Sequence, residues 1–353
     1  MAMNPKLRKN IRQVQPYVPG EQPRGKVIKL NTNENPYPPA PGVQRALKEF
    51  EPDLLRLYPD PTAEALVSVL ADYYEVEQDQ IFVGVGSDDV LALCFLTFFQ
   101  SGLPILFPDI TYSFYKVWAE LYGIPYRCPR LDKDFRIVRE DYYEKNGGII
   151  FPNPNAPTAI YEDLEFVEDI LEHNPDSVVI VDEAYVDFAG KSALELVEKY
   201  ENLLVVQTFS KARSMAGMRI GYAVGNKELI RCLNNVKYSF NSYTLNRIAL
   251  VCGAEAVKDR AYFEQNIRKI VQTREEAKNH LTKLGFCFPD SRANFIFASH
   301  PEYDAGRLFK ELRKADIYVR HWESDRIRQY LRITVGTEEE MRILFDFLEH
   351  YIK

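Results

Sequence analysis

Lys211 is the residue of this chain best placed for nucleophilic chemistry, because of the residues around it. It follows the apolar run 203–206 and the hydroxyl side chain of Ser210, and Arg219 comes eight positions later between two glycines. A lysine amine attacks an aldehyde only after losing its proton, so its pKa must fall from about 10.4 toward neutrality. Burial at the end of a strand, beside a second cation, would lower the pKa in this way. Because Ser210 and Arg219 could together hold a phosphate, the segment predicts covalent binding of a phosphorylated aldehyde.

A carboxylate ends a second predicted strand upstream of this lysine. The residues 178–181 are all apolar, which is typical of a strand buried on both faces, and Asp182 follows them directly. A carboxylate at the end of a buried strand loses hydration unless it is paired. A protonated pyridine nitrogen would be a suitable partner, and the pair would keep the aromatic ring able to accept electrons. Tyr185, three residues further on, could reach a hydroxyl group on the same ring.

A glycine-containing loop supplies a second candidate phosphate contact. It joins the predicted strand 80–83 to a helical run over 90–99, and backbone amides at a helix N-terminus bind anions. Another predicted strand, 104–107, leads to a tyrosine that could stack on the face of a heteroaromatic ring. The residues proposed for these contacts are Gly86, Ser87, Asp88 and Tyr112.

The composition argues against several other classes of protein. The chain has 353 residues, a net charge of -7 at pH 7 and 27% charged residues, which is typical of a globular protein without a basic nucleic-acid-binding surface. Its five cysteines are widely spaced without a Cys-x-x-Cys pair, and its five histidines show no metal-ligand spacing. No signal peptide is visible, and the longest apolar run, 90–99, is too short to span a bilayer. We therefore expect a cytoplasmic protein that binds no nucleic acid, membrane or metal.

Helices and strands alternate from about residue 61 to residue 225. This alternation predicts an α/β fold, in which a mostly parallel sheet is covered by helices on both faces and ligands bind at the carboxyl ends of the strands. From residue 226 onward, long charged helices and short strands predict a smaller α+β unit. The predicted strands of the sheet lie near 80–84, 104–107, 124–128, 148–151, 177–182, 203–208 and 219–224, and those of the smaller unit near 295–298, 318–320 and 331–335.

The chain is predicted to form two domains. Residues 45–250 would form a large cofactor-binding domain, and residues 251–353 would form most of a small substrate-binding domain, with a long helix near 264–284. Residues 1–44 would complete the small domain as an N-terminal arm, whose proline-rich part, 36–41, crosses between the domains.

With these motifs in place, the chain resembles the pyridoxal-phosphate-dependent aminotransferases of fold type I. The resemblance extends from about residue 17 to the C-terminus, and its most specific stretches are 30–37, 57–60, 182–185, 210–211 and 330–336. It implies that Lys211 forms the Schiff base with the cofactor, that Asp182 pairs with the pyridinium nitrogen and that Tyr185 donates to the ring hydroxyl. The other cofactor contacts that it implies are Gly86, Ser87, Asp88, Ser210 and Arg219 around the phosphate and Tyr112 stacked on the ring.

The resemblance also implies a homodimer with shared active sites. Tyr58, in the stretch Leu57-Tyr58-Pro59-Asp60, would reach the phosphate of the cofactor that the neighbouring subunit binds. A single subunit could not make this contact with its own cofactor, so association of two copies is part of the predicted site.

One departure from the family pattern affects the cofactor contacts. The family has Pro-Asn-Asn-Pro-Thr-Gly before the catalytic aspartate, and its second asparagine contacts the ring hydroxyl. In this chain the segment 154–159 reads Pro-Asn-Ala-Pro-Thr-Ala, so Ala156 stands at that position and donates no hydrogen bond. Either Asn155 or Asn153 could replace it, or Tyr185 could make the contact alone. A lost hydrogen bond of this kind is worth roughly 0.5 to 1.5 kcal/mol.

The C-terminal part of the chain supplies the predicted substrate contacts. Apolar residues alternate with Arg332 and Thr334 over 331–335, so Arg332 faces away from the apolar side of its strand. That pattern alone would also fit a solvent-exposed edge strand. The resemblance instead implies that Arg332 holds the α-carboxylate of the amino donor and that Arg320 holds a distal substrate phosphate. Tyr17, Asn33 and Asn241 would line the same pocket.

The activity that the resemblance implies is amino-group transfer between glutamate and imidazole-acetol phosphate, which yields histidinol phosphate in histidine biosynthesis. Lys211 would first hold the cofactor and then, as the released amine, move the proton from the substrate α-carbon in a ping-pong reaction. Two alternatives use the same lysine. A decarboxylase acting on phosphothreonine would release carbon dioxide, and an aromatic aminotransferase would have no need of Arg320.

Overall fold

The computed structural model describes residues 4–352, and its elements alternate between strand and helix through the first two thirds of the chain. The strands are β1 (Ile28–Lys29), β2 (Ile81–Gly84), β3 (Ile105–Leu106), β4 (Tyr126–Arg127), β5 (Ile149–Pro152), β6 (Val179–Asp182), β7 (Leu203–Thr208), β8 (Gly221–Gly225), β9 (Phe295–Ser299), β10 (Ile317–Tyr318), β11 (Arg320–His321) and β12 (Tyr330–Thr334). The helices are α1 (Pro5–Lys9), α2 (Pro41–Glu49), α3 (Glu64–Tyr74), α4 (Ser87–Phe98), α5 (Phe114–Tyr122), α6 (Leu164–His173), α7 (Lys227–Phe240), α8 (Arg247–Lys258), α9 (Arg260–Lys283), α10 (Ala305–Lys314) and α11 (Glu338–Ile352). Short 3₁₀ helices cover Pro52–Arg56, Gln78–Gln80, Arg139–Tyr142, Val186–Phe188, Ala193–Leu196 and Ala216–Met218.

The large sheet has seven strands in the order β2-β8-β7-β6-β5-β3-β4. Strands β3 to β7 run parallel to one another, whereas β8 is antiparallel to both of its neighbours, β2 and β7. The prediction of an α/β fold with a mostly parallel sheet is therefore confirmed. In the ladder between β6 and β7, Asp182 pairs with Val206, so the segment that follows β7 lies close to this carboxylate.

Both faces of the large sheet are buried, which explains why its central strands are apolar throughout. Val179 and Val181 pack into the core that contains residues of α3, α6 and α8. Ile180 and Leu204 face the opposite way, into the core that contains residues of α4, α5 and α7. Because successive side chains of a strand point to opposite faces, a sheet between two helical layers needs an apolar residue at every position.

Two small sheets belong to the C-terminal part of the chain. Strands β11, β12 and β9 form an antiparallel sheet in that order, and β10 pairs in parallel with β1 from the N-terminal segment. The strand predicted near 318–320 is therefore two short strands, since β10 and β11 pair with different partners on either side of the buried Val319.

The predicted domain boundaries stay a prediction. The core on one face of the large sheet includes Ala40 and Val43 as well as residues of α8.

Helix α3 begins four residues after Asp60. Ala63 has a left-handed backbone with φ of 54°, so α3 begins at Glu64. The Asp60 carboxylate accepts hydrogen bonds from the backbone N–H groups of Thr62 and Glu64 at 2.9 and 2.8 Å. It therefore still binds the free amides of the first turn, as a capping residue does.

The helices of residues 4–352 include none with the length and apolar composition that crossing a membrane requires. Within the same range, the structure has no group of three or more His, Cys, Asp and Glu side chains arranged to hold a metal ion. All five cysteines are free thiols, and two of them, Cys94 and Cys252, are buried in the cores.

Candidate active site

A cavity of about 670 Å³ opens at the carboxyl ends of β6 and β7, where the large sheet meets the N-terminal segment and the small sheet. Most of the predicted site residues line it. They are Tyr17, Asn33, Ser87, Asp88, Tyr112, Asp182, Tyr185, Ser210, Lys211, Arg219, Arg320 and Arg332. Four predicted residues lie outside the lining, namely Tyr58, Gly86, Asn155 and Asn241.

Lys211 lies in an environment that favours its neutral amine. Its Nζ donates a hydrogen bond of 2.9 Å to the backbone carbonyl of Thr32. Burial lowers the pKa of Lys211 to about 8, and the positive charges of Arg332 and Arg219 act in the same direction. Glu34 and Asp88 oppose this shift only in part. Near neutral pH, a far larger fraction of this amine is therefore deprotonated than of an exposed lysine, as reaction with an aldehyde requires.

Asp182 is a buried carboxylate whose direct partners are uncharged. Only 4% of the residue is exposed, and its Oδ2 accepts a 2.7 Å hydrogen bond from the hydroxyl of Tyr115. The backbone N–H of Ala184 donates to Oδ1 at 3.3 Å. Burial raises the pKa of Asp182 to about 6, against the effect of these two hydrogen bonds. A cationic group in the cavity beside it would compensate the buried negative charge.

The loop before α4 brings Arg219 against the start of that helix. Gly86 precedes the helix with φ of 85°, a conformation that glycine adopts without strain. A Cβ atom at this position would lie 2.5 Å from Nη2 of Arg219. The glycine therefore contributes by leaving room for the guanidinium beside the first backbone amides of α4, rather than by lining the cavity itself.

Asp88 links three predicted cofactor contacts. Its carboxylate accepts a 2.7 Å hydrogen bond from the hydroxyl of Tyr112 and a 3.2 Å hydrogen bond from Nη2 of Arg219. Nη1 of Arg219 donates to the hydroxyl of Ser210 at 3.3 Å. Because a carboxylate repels a phosphate, we expect Asp88 to serve an anion through its backbone N–H while its side chain orients Tyr112 and Arg219.

Tyr185 and Asn33 contact each other directly. The side-chain N–H of Asn33 donates to the phenol oxygen of Tyr185 at 2.9 Å, and the tyrosine ring meets Phe295 edge to face at 5.0 Å. Asn33 was predicted as a substrate contact. It lines the cavity, and its side chain forms hydrogen bonds with Tyr185 and with Thr334 of β12.

The asparagines next to Ala156 do not take the place of the family's second asparagine in this structure. The side-chain amide of Asn155 donates to the carbonyl of Ile110 at 3.0 Å and is buried away from the cavity lining. The side chain of Asn153 forms hydrogen bonds with the backbone carbonyl and N–H of Glu162 at 2.8 and 2.9 Å. Ala156 itself lines the cavity, so the position of the family's second asparagine carries only a methyl group.

The two predicted substrate arginines are neighbours in the small sheet. Arg320 and Arg332 are register partners in the ladder between β11 and β12, so their side chains lie on the same face. Strand β12 is the central strand of this sheet, which rules out the exposed edge strand that the sequence pattern also allowed. Burial lowers the pKa of Arg332, and its Nη2 donates to the carbonyl of Asn31 at 2.9 Å. Trp322 lies 5.6 and 5.4 Å from the two guanidinium carbons.

Tyr17 closes the cavity from the N-terminal segment. Its ring stacks on Phe114 with 4.1 Å between the ring centres and lies 6.4 Å from the ring of Tyr112. Burial raises the pKa of Tyr17, while Arg320 and Arg332 act in the opposite direction. The hydroxyl therefore stays protonated near neutral pH, in a position to bind a ligand.

Tyr58 and Asn241 lie on the surface. The side chain of Tyr58 is 75% exposed and stacks on Tyr243 with 4.6 Å between the ring centres. Asn241 is exposed at the C-terminal end of α7. Neither residue contacts the cavity of its own chain, and for Tyr58 this agrees with the predicted role at the site of a neighbouring subunit.

The sequence did not indicate three residues that shape the site. Tyr115 follows Tyr112 by three positions at the start of α5, a spacing that could have suggested a common function. Trp322 follows Arg320 by two positions, which is the spacing of residues on one face of a strand. The contact of Thr32 with Lys211 uses a backbone carbonyl, and no side-chain pattern could have revealed it.

Comparison with known proteins assigns the chain to a family. The sequence matches the model of the family "Aminotransferase class I and II" over residues 25–348, which include the large sheet and nearly all of the cavity lining. This chain is a class I and II aminotransferase. The aminotransferase is 51% identical to the histidinol-phosphate aminotransferase of Chromohalobacter salexigens, over 96% of this chain and 97% of that one. It is 50% identical to the histidinol-phosphate aminotransferase of Lactococcus lactis subsp. cremoris, over 98% and 97% of the two chains.

The fold of this aminotransferase is also similar to a solved structure. The crystal structure of histidinol-phosphate aminotransferase from Sinorhizobium meliloti in complex with pyridoxal-5'-phosphate has a TM-score of 0.83 with this chain, at 23% sequence identity. The likeness covers 92% of this chain and 90% of that one. At so low an identity, this likeness supports the fold of the aminotransferase.

Proposed function

We propose that this enzyme transfers an amino group between glutamate and imidazole-acetol phosphate, with pyridoxal phosphate held on Lys211. The observation that carries the proposal is a deprotonatable lysine in a cavity with two separate sets of cations. Arg219 lies between Ser210 and α4, whereas Arg320 and Arg332 belong to the small sheet. A cofactor phosphate and an anionic, phosphorylated substrate each require their own cation. The high identity to histidinol-phosphate aminotransferases supports the same assignment.

The side chains of the cavity fit pyridoxal phosphate. When bound, this cofactor supplies an aldehyde carbon and an aromatic ring that accepts electrons. Asp182, buried and without a charged hydrogen-bond partner, would hold a protonated ring nitrogen. The first amides of α4, together with Ser210 and Arg219, would hold the phosphate. Lys211, with a pKa of about 8, would hold the aldehyde.

Lys211 has a second task as a general base. Once free, its amine would take the proton from the α-carbon of the amino donor and later return one to the acceptor. A general base works best when its pKa lies near the operating pH, and burial places the pKa of Lys211 at about 8. The carbonyl of Thr32 accepts a hydrogen bond from Nζ, which would orient the free amine for these proton transfers.

The arginines of the small sheet would select the substrate. Nε of Arg332 is buried without a hydrogen-bond partner among the described residues, while its Nη2 reaches the carbonyl of Asn31. A carboxylate could accept from the free Nε–H in a fork-like contact. Arg320, the adjacent cation, would hold the distal phosphate, with Tyr17 above it.

A cytoplasmic location and the two-domain boundaries remain predictions of the sequence.

We also propose that two copies associate, because an exposed apolar surface surrounds Tyr58. Tyr58 stacks on Tyr243, and the hydroxyl of Tyr238 donates to the carbonyl of Pro61 at 3.4 Å, so residues before α3 lie against the last turn of α7 and the residues that follow it. A contiguous apolar surface of this kind is typical of a protein interface. Its exposed side chains are Leu54, Leu55, Leu57, Tyr58, Tyr238, Phe240 and Tyr243.

The substrate proposal is tested with a panel of donors and acceptors. Purified enzyme supplied with glutamate and imidazole-acetol phosphate should form 2-oxoglutarate, and phosphothreonine should release no carbon dioxide. Arg320→Ala should raise the KM for the phosphorylated substrate roughly 10- to 100-fold, because a charge-assisted hydrogen bond is lost. The KM for glutamate should change much less. Equal effects on both substrates, or release of carbon dioxide, would contradict the proposal.

A further inference from the structure

We propose that Asn33 takes over the task of the asparagine that Ala156 replaces, by orienting the phenol proton of Tyr185 toward the ring hydroxyl of the cofactor. Asn33 would thus be a positioning residue that acts through Tyr185. The inference rests on the proposed cofactor role of Tyr185. The sequence alone placed Asn33 in the substrate pocket. The proposal gives this residue of the N-terminal segment a role at the cofactor.

No asparagine of the same loop replaces the hydrogen-bond donor that is missing at Ala156. Asn153 and Asn155 hold backbone groups of Glu162 and Ile110, and both side chains are buried in these contacts. Ala156 presents a methyl group to the cavity. Tyr185 is therefore left to contact the ring hydroxyl without help from this loop, and its own orientation becomes decisive.

The direction of the Asn33 amide follows from Thr334. The hydroxyl oxygen of Thr334 accepts a 3.0 Å hydrogen bond from the backbone N–H of Asn33. The same hydroxyl donates its single proton to Oδ1 of Asn33, also at 3.0 Å. In this arrangement the oxygen of the amide faces Thr334, and Nδ2 faces Tyr185.

This direction determines what the phenol can do. Nδ2 of Asn33 has only N–H groups to offer, so the oxygen of Tyr185 accepts the 2.9 Å hydrogen bond between them. The phenol proton is not used in this contact and stays available to an acceptor in the cavity. A hydrogen bond donated to the oxygen of a ring hydroxyl stabilises the ionised form of that oxygen.

Asn33 is held too firmly to turn away. The residue is 1% exposed, and its backbone carbonyl accepts a 3.0 Å hydrogen bond from the side chain of Asn294. Its φ of 57° is left-handed, a conformation that asparagine tolerates better than most residues. With this backbone conformation, both the N–H and the side chain of Asn33 face Thr334.

Several charged groups also act on Tyr185, and the test must leave them unchanged. Nζ of Lys211 lies 5.9 Å from the centre of the tyrosine ring. Arg332 also lowers the pKa of the phenol, while burial, the largest effect, raises it together with Asp182 and Asp88. A substitution at Asn33 should therefore be uncharged, so that any change in titration reflects the lost hydrogen bond.

Asn33→Gly is the appropriate variant, because glycine accepts the left-handed backbone and brings no charge. The absorbance of the bound cofactor is titrated against pH, and its dissociation constant is measured on the same protein. The midpoint of the titration should rise by about 0.5 to 1 pH unit, since a hydrogen bond that favours the ionised ring oxygen is weakened. The dissociation constant should rise roughly two- to tenfold.

Two further variants separate positioning from a structural effect. In a Tyr185→Phe background, Asn33→Gly should shift the midpoint no further. In the Asn33→Gly background, Ala156→Asn should return the midpoint toward that of the wild type, because it restores the family's donor. A shift that persists without the phenol, or an absence of rescue by Ala156→Asn, would overturn the proposal.

If Asn33→Gly does not fold, a substitution of Thr334 tests the same hydrogen bond. Thr334→Val keeps the shape of the side chain and removes the hydroxyl that fixes the amide, so it should raise the midpoint in the same direction. An unchanged midpoint in this variant would overturn the proposal. The substrate assay is independent of these titrations, since an enzyme that binds the cofactor but rejects imidazole-acetol phosphate would contradict the proposed function only.

Discussion

The chemistry of Lys211 depends on residues from distant parts of the chain. Arg219 comes from the loop after β7, Arg332 from β12 and the carbonyl of Thr32 from the N-terminal segment. Burial is the largest cause of the lowered pKa, and Arg332 is the next. The same guanidinium that we propose as the carboxylate contact therefore also helps to keep the lysine neutral.

We predict that cofactor-free enzyme captures pyridoxal phosphate faster as the pH rises through about 8, and that the rate then levels off. The sign follows because the neutral amine, present above the pKa, is the nucleophile. Arg332→Met should move the midpoint to higher pH, since a cation that disfavours protonated Lys211 is removed. Arg320→Met is the matched control, because Arg320 is not among the groups that shift Lys211, and it should leave the midpoint in place. The rate is measured by stopped-flow absorbance.

A second prediction concerns the tyrosine that holds Asp182. Tyr115→Phe should lower the free energy of unfolding by about 1 to 3 kcal/mol, because it leaves a buried carboxylate oxygen without its 2.7 Å donor. It should also weaken cofactor binding. Tyr142→Phe is the control, since the equally buried hydroxyl of Tyr142 has no partner among the described residues. Urea denaturation should show little change for this control, and equal losses in both variants would contradict the assigned contact.

At the scale of elements, the N-terminal segment connects the two parts of the site. The carbonyl of Asn31 accepts from Arg332, and the carbonyl of the next residue, Thr32, accepts from Lys211. The side chain of Asn35 donates to the carbonyl of Ala212 at 3.1 Å. A segment of five residues thus contacts both the small sheet and the loop after β7, which places Arg332 and Lys211 in one hydrogen-bonded unit.

The start of α4 allows a prediction with a closely matched control. Gly86→Ala should cost roughly 1 to 3 kcal/mol of stability, because φ of 85° with ψ of 163° is a conformation that essentially only glycine adopts, and it should also displace Arg219, whose Nη2 lies 2.5 Å from the added Cβ. Gly102→Ala also places a side chain at a positive φ, 75°, but nothing lies within 4 Å of its Cβ. Thermal unfolding should therefore show a loss for both variants, whereas fluorescence titration with pyridoxal phosphate should show weaker binding only for Gly86→Ala. Unchanged cofactor affinity in that variant would argue against Arg219 as the phosphate contact.

At the scale of the whole molecule, the proposed dimer should be required for cofactor retention. Phe240→Asp places a charge in the exposed apolar surface and should produce monomers in analytical ultracentrifugation, with faster loss of pyridoxal phosphate on dialysis. Tyr58→Phe keeps the apolar ring and should leave the dimer intact, while cofactor loss still accelerates. If the monomeric variant retained the cofactor as well as the wild type, Tyr58 could not contribute across an interface.

Much of the large sheet was predictable, because local patterns determine it. The apolar runs before Asp182 and before Lys211 are strands buried on both faces, and each places its polar residue at the same edge of the sheet. The region of 318–320 was less predictable, because β10 and β11 are too short for periodicity to separate them. Only their different pairing partners reveal two strands.

The sequence by itself determined the α/β fold and predicted which residues would hold a phosphorylated aldehyde, because strand periodicity and side-chain chemistry are local properties. Only the tertiary structure decided the pKa values and the hydrogen bonds of these residues. The pKa of Lys211 depends on burial and on Arg332, which is more than a hundred residues away in the chain. The hydrogen bond from Asn33 to Tyr185 joins residues separated by 152 positions. Charge interactions and hydrogen bonds act through space, so they cannot be predicted from the spacing of residues along the chain.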